Sequence, residues 1–81
     1  MTDILLPLAA ADAIREAAGA RAKFPGNRHM LAALMEEVGE LAQSLLEQGR
    51  GSMSADDVYA EAIQVAAMAL RIAVEGSLEF P

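Results

Sequence analysis

The sequence predicts an all-α fold, a bundle of about three helices per chain completed by oligomerisation, on three observations. Breaker residues at Pro25-Gly26-Asn27, Gly49-Arg50-Gly51-Ser52 and Gly76-Ser77 cut the 81-residue chain into three long stretches. No polar/apolar alternation of the kind a strand needs persists between them. The third observation is a hydrophobic share of 54%, high for so short a chain. A domain of this size hides only about 60% of the surface its unfolded form exposes, so another subunit is expected to cover part of that apolar content. Residues 1–81 read as a single domain.

The first helix is expected from Pro7 to Ala22. It is alanine-rich with a weak apolar stripe, and Pro7 fits in a first turn, where its missing N–H costs nothing. The second, Arg28 to Gln48, follows Asn27, a residue suited to cap its first amides, and stops at Gly49, which can take the left-handed cap conformation. Leu31, Leu34, Met35, Val38, Leu41, Ala42 and Leu45 give it one broad apolar face, with Glu36, Glu37, Glu40 and Glu47 on the other side.

The third helix, Ala55 to Glu75, opens on Ser54-Ala55-Asp56-Asp57, a capping-box-like start that also sets negative charge at the positive end of the helix dipole. It is apolar around most of its circumference, leaving one narrow polar stripe with Glu61, Gln64, Arg71 and Glu75. A helix of that kind must be buried on nearly every side. Two short companions cannot enclose it, whereas a bundle shared between chains can.

Charge and composition narrow the function. Six basic against twelve acidic residues give a net charge of −6, which disfavours a nucleic acid polymer or an anionic membrane as partner. No stretch approaches the roughly 20 apolar residues of a membrane span. The start, Met1 to Leu8, has no basic residue before its apolar run and reads poorly as a secretory signal. The absence of cysteine excludes disulfides, a thiolate zinc site and a cysteine nucleophile, and fits a cytoplasmic location.

The chemistry lies in the acids. Glu37 and Glu40 sit one turn apart on one helix face, and Glu61 and Gln64 repeat the spacing on the next helix, which a short glycine-containing connection makes an antiparallel neighbour. Four oxygen-bearing side chains could then converge. Carboxylates brought together repel unless protonated or neutralised, and a hard divalent cation, Mg²⁺ or Mn²⁺, is the natural neutraliser and invites a phosphate. Glu36 could orient an attacking water. The competing reading is a solvated acidic face, although a carboxylate within the narrow polar stripe of an apolar helix, as Glu61 is, demands a partner. Arg71 is too far along the helix to pair with Glu61 and can reach Glu75 instead.

Phe24-Pro25-Gly26-Asn27, Leu31 to Leu41 with Glu36-Glu37-Val38-Gly39-Glu40, and Val58 to Ala66 with Glu61-Ala62-Ile63-Gln64 together resemble the MazG-like all-α nucleoside triphosphate pyrophosphohydrolases, in their short single-domain form. The resemblance implies a bundle of two or four chains and Mg²⁺-dependent cleavage between the α and β phosphates of a nucleoside triphosphate, giving monophosphate and pyrophosphate. It implies Glu37, Glu40 and Glu61 as metal ligands with Glu36 in support. Gln64 stands where the family has Asp, and an amide oxygen can coordinate but brings no charge. The sequence ends at Phe80-Pro81, where many relatives continue into another helix.

Lys23, Arg28 and His29 surround the turn before the acidic helix, where cations could receive triphosphate oxygens or simply be solvated. Asn27 reads more readily as a cap than as a base-recognising amide, Phe24 as a stacking surface or a packing residue, and Tyr59 as part of a base pocket or a subunit contact. Met30, Met35 and Met68 read as core filler. The alternative to an enzyme is a catalytically silent helical dimerisation module with the same fold, which Gln64 favours.

Overall fold

The computed structural model describes residues 2–78, with side chains from Ile4 onward, and is all-helical. The terminal Phe80-Pro81 lie outside the described residues. Helix α1 spans Thr2–Lys23, α2 Met30–Gly49 and α3 Ala55–Glu75. The third matches its expected bounds; the other two correct the sequence reading at their ends.

Helix α1 begins before Pro7, which lies inside it instead of in its first turn. Pro7 is the sixth residue of the helix, so its missing N–H forfeits one backbone hydrogen bond near the helix start, ahead of the alanine-rich stretch that continues it. Helix α2 starts two residues later than expected, after His29 in the left-handed conformation at φ 59°, and no side chain caps it. Asn27 does not cap α2. Its amide nitrogen donates to the Glu75 carbonyl at 2.7 Å, closing the far end of α3. The left-handed glycine after α2 is Gly51 at φ +84°, two residues beyond the expected Gly49, which is still helical.

The start of α3 is as read from sequence. The Ser54 hydroxyl accepts from the Asp57 N–H at 3.2 Å and the Asp57 carboxylate accepts from the Ser54 N–H at 3.0 Å, a complete capping box. Gly76 ends the helix at φ +68°, its N–H donating to the Ile72 carbonyl at 2.8 Å.

Helix α3 lies between the other two and packs on both, while α1 and α2 do not pack on one another among the described residues. Helix α1 meets it through small side chains, Ala13 and Ala17 being buried, as is Ala67 of α3. The seam of α2 runs through Met30, Ala33, Glu37 and Ser44, with Met30 and Ser44 buried and the other two half-buried. This corrects the expected division of α2 into an apolar inner face and an acidic outer one. Glu37 turns toward α3, whereas Met35 is 60% exposed and Leu31, Val38 and Leu45 are also open.

One chain therefore leaves much apolar surface uncovered, as its sequence anticipates. Its accessible surface is 5797 Å², against about 4,650 Å² for a compact monomer of 8.5 kDa. Its radius of gyration is 13.8 Å, where about 12 Å describes a compact domain of this length.

Candidate functional site

Glu40 follows Glu37 of the α2 seam by three positions, so the two stand one turn from each other. Glu61 meets them from α3. One carboxylate oxygen from each of Glu37, Glu40 and Glu61 lies within 4.8 Å of the other two. Glu37 and Glu61 are half-buried and Glu40 is exposed, so the cluster opens to solvent on one side. Glu36, next in sequence, is exposed.

The electrostatics are unfavourable in the isolated chain. Glu37 Oε2 and Glu61 Oε2 are buried without a hydrogen-bond partner, an arrangement that costs free energy unless a proton or a cation supplies what the protein does not. Burial first, then the charges of Glu40, Glu61 and Glu36 and a hydrogen bond with Glu40, push the Glu37 carboxyl above its ordinary value. The orphaned oxygens and the all-carboxylate donor set fit a hard divalent cation such as Mg²⁺ or Mn²⁺.

The remaining residues singled out in the sequence lie elsewhere. Gln64, half-buried, borders a groove between α1 and α3 with Asp12, Arg15, Glu16 and Tyr59. The Tyr59 hydroxyl donates to the Asp12 carboxylate, which also pairs with Arg15, and the bond to Asp12 holds the phenol above its usual range. This α1–α3 cluster is absent from the sequence reading because Asp12 and Tyr59 are 47 positions apart and no local pattern connects them.

Asn27 and Arg28 line a cavity of about 440 Å³ further along the seam, with Phe24, Met30, Met68 and Arg71 in its walls. The Lys23 ammonium sits 5.9 Å from the centroid of the Phe24 ring, within cation–π range. Met30 is core filler as expected, but Met35 is exposed. Arg71 does reach Glu75, at 2.8 Å. It also does more than the sequence indicates, donating to the carbonyls of Phe24 and Gly26 at 3.0 Å each and tying the α1–α2 connection to α3. The ion pair with Arg71 keeps the Glu75 carboxyl below its ordinary value. Arg21 adds a second, longer contact to Glu75 at 3.5 Å.

Compared with known proteins, the chain matches no family model, no curated protein and no solved structure.

Proposed function

We propose that this chain is a homo-oligomeric, Mg²⁺-dependent nucleoside triphosphate pyrophosphohydrolase of the MazG-like class, acting in the cytoplasm and cleaving between the α and β phosphates. The observation that carries the reading is the meeting of Glu37, Glu40 and Glu61 with two buried oxygens unpartnered. Surface acids on a solvated helix would point apart and keep their hydration; these meet across two helices at a cost that a bound cation would offset.

In this reading Glu37, Glu40 and Glu61 hold the cation, and Gln64, the fourth donor expected from the sequence, borders the α1–α3 groove instead. A divalent ion held there supplies Lewis-acid polarisation of phosphate oxygens. Glu36, exposed and next in sequence to Glu37, is the residue this reading assigns to orienting the attacking water. Arg28 in the α1–α2 connection and Lys23 at the end of α1 would offer positive charge toward the phosphates. Self-association is part of the proposal because the chain exposes roughly 1,100 Å² more than a compact monomer would, comparable with the 800 Å² or more that each partner contributes to a stable interface.

The test is direct. The purified chain, incubated with each nucleoside triphosphate and Mg²⁺, is expected to release pyrophosphate, and Glu40→Gln is expected to lower the rate at least 100-fold without loss of helicity or of the oligomer. No pyrophosphate from any nucleotide would shift the assignment to a catalytically silent helical dimerisation module with the same fold.

A further inference from the structure

Helix α2 carries a second apolar stripe besides its seam. Leu31, Met35, Val38, Ala42 and Leu45 follow one another at steps of four, three, four and three, the seven-residue repeat by which two helices wind about each other. Successive residues of a helix turn by roughly 100°, so Val38 and its stripe lie just over a quarter turn from Glu37, on a face that α3 does not occupy. Leu31, Met35, Val38 and Leu45 are 47, 60, 40 and 51% exposed, and Ala42 is exposed with them. Helix α1 packs on α3 and, among the described residues, not on α2.

The borders of the stripe indicate what covers it. Ala32, Gly39 and Leu46 flank it on one side and Leu34, Leu41 and Gln48 on the other, all uncharged on a chain of net charge −6. Glu36, Glu40 and Glu47 stand on the opposite side of the helix from Val38. Charges at such flanks select a partner of different sequence. A copy of the same helix needs them neutral, because in an antiparallel pair each flank faces its own equivalent and any acid there would meet its like. Gly39 points the same way. Glycine weakens the middle of a helix relative to alanine, and a Cβ at this position would meet nothing else within 4 Å. Close approach by a second helix is a reason for glycine that the chain's own packing does not supply.

We propose that α2 is a homodimerisation helix, its stripe from Leu31 to Leu45 packing antiparallel on the same stripe of a second copy about a two-fold axis. The proposal rests on the self-association in the reading above and takes nothing from its chemistry. The surplus of roughly 1,100 Å² that one chain exposes is enough for such a contact. The ends of the molecule set the direction. Lys23 and Arg28 lie by the start of α2, and Asp56 and Asp57, opening α3, by its end. Antiparallel order thus turns the cations of one copy toward the acids of the other and opposes the two helix dipoles. Two heptads are short for a free coiled coil, but α2 is already held helical against α3, so pairing has no helix to nucleate. Glu40, the exposed member of the carboxylate cluster, faces away from the stripe, and both clusters stay open in the dimer.

The experiment measures the mass of the full chain by sedimentation equilibrium across a concentration series, with helicity followed by circular dichroism. The chain is expected to dimerise, and Val38→Glu, which buries a charge at the centre of the contact, to raise the dimer Kd at least about 100-fold with helicity kept. Should that variant lose helicity, Met35→Glu at a 60% exposed position is expected to raise it at least about tenfold. Leu6→Glu, on the 75% exposed start of α1, is expected to change it less than about threefold. Direction is read by cross-linking, which the absence of native cysteine keeps clean. Leu31→Cys and Leu45→Cys chains, one of them isotope-labelled, are mixed and treated with a short bismaleimide. Mixed pairs are expected, because a parallel dimer would hold the two positions about 21 Å of helical rise apart. A chain that stays monomeric up to roughly 1 mM, dimers untouched by the folded α2 variants, or like-with-like cross-links alone would overturn the proposal. A dimer of this kind that releases no pyrophosphate keeps the interface and loses only the pyrophosphohydrolase reading, whereas a monomer that releases it does the reverse.

Discussion

Two stretches of the α2–α3 seam carry ionisable groups and treat them in opposite ways. Around Arg71, side chains and backbone are matched: its guanidinium serves Glu75, the Phe24 carbonyl and the Gly26 carbonyl, and Asn27 closes the α3 terminus. Around Glu37, three carboxylates meet and two buried oxygens have no partner. The first arrangement holds the connection to the helix pair. The second opposes folding of the isolated chain unless a proton or a cation neutralises it. Satisfaction of buried polar groups therefore distinguishes scaffold from site here better than burial does, since both stretches are partly buried.

Mutation can break or sharpen that contrast. The largest effect is expected from Arg71→Ala, which strands Glu75 and two carbonyls and should cost about 3 kcal/mol in urea unfolding; a loss near zero would show that the connection holds without it. Next comes Ser54→Ala, which deletes the cap of α3 and should cost about 1 kcal/mol by the same measurement. Smallest, and opposite in sign, is Glu37→Gln in EDTA at neutral pH, where relief of like-charge crowding should stabilise the chain by about 0.5 kcal/mol.

The pH dependence follows the same division. Because the folded chain holds the Glu37 proton more tightly than the unfolded chain does, metal-free stability from this group is present at low pH. It falls as pH rises from the ordinary carboxylate range through the raised value. Glu75 and Asp57, whose values are lowered, contribute above the ordinary range and lose that contribution as pH falls through it. Glu37→Gln should therefore flatten the descent on the alkaline side and leave the acid side intact, as thermal melts in EDTA across pH 3–8 would show.

Much of the architecture was legible because its signals are local. The capping box at Ser54 and Asp57 joins residues three positions apart and needs no tertiary partner, and α3 starts and ends where its sequence indicates. Asn27 was misread for the same reason. An Asn before a helix suits an N-cap locally, but the packed α3 terminus offered its amide the Glu75 carbonyl, and His29 took the cap position instead. The one-turn spacing of Glu37 and Glu40 is a property of any helix, whereas their approach to Glu61 depends on how α2 is rotated about its axis.

The sequence by itself determined the three helices, their breaks and an excess of apolar surface that one chain cannot cover, because periodicity, caps and composition act through neighbours in the chain. Tertiary structure alone decided that Glu37 of α2 turns toward α3 while Met35 and Leu45 stay open, and that Arg71 reaches across to the α1–α2 connection. Those outcomes depend on which helix faces pack best together, a competition among long-range contacts that no local pattern records.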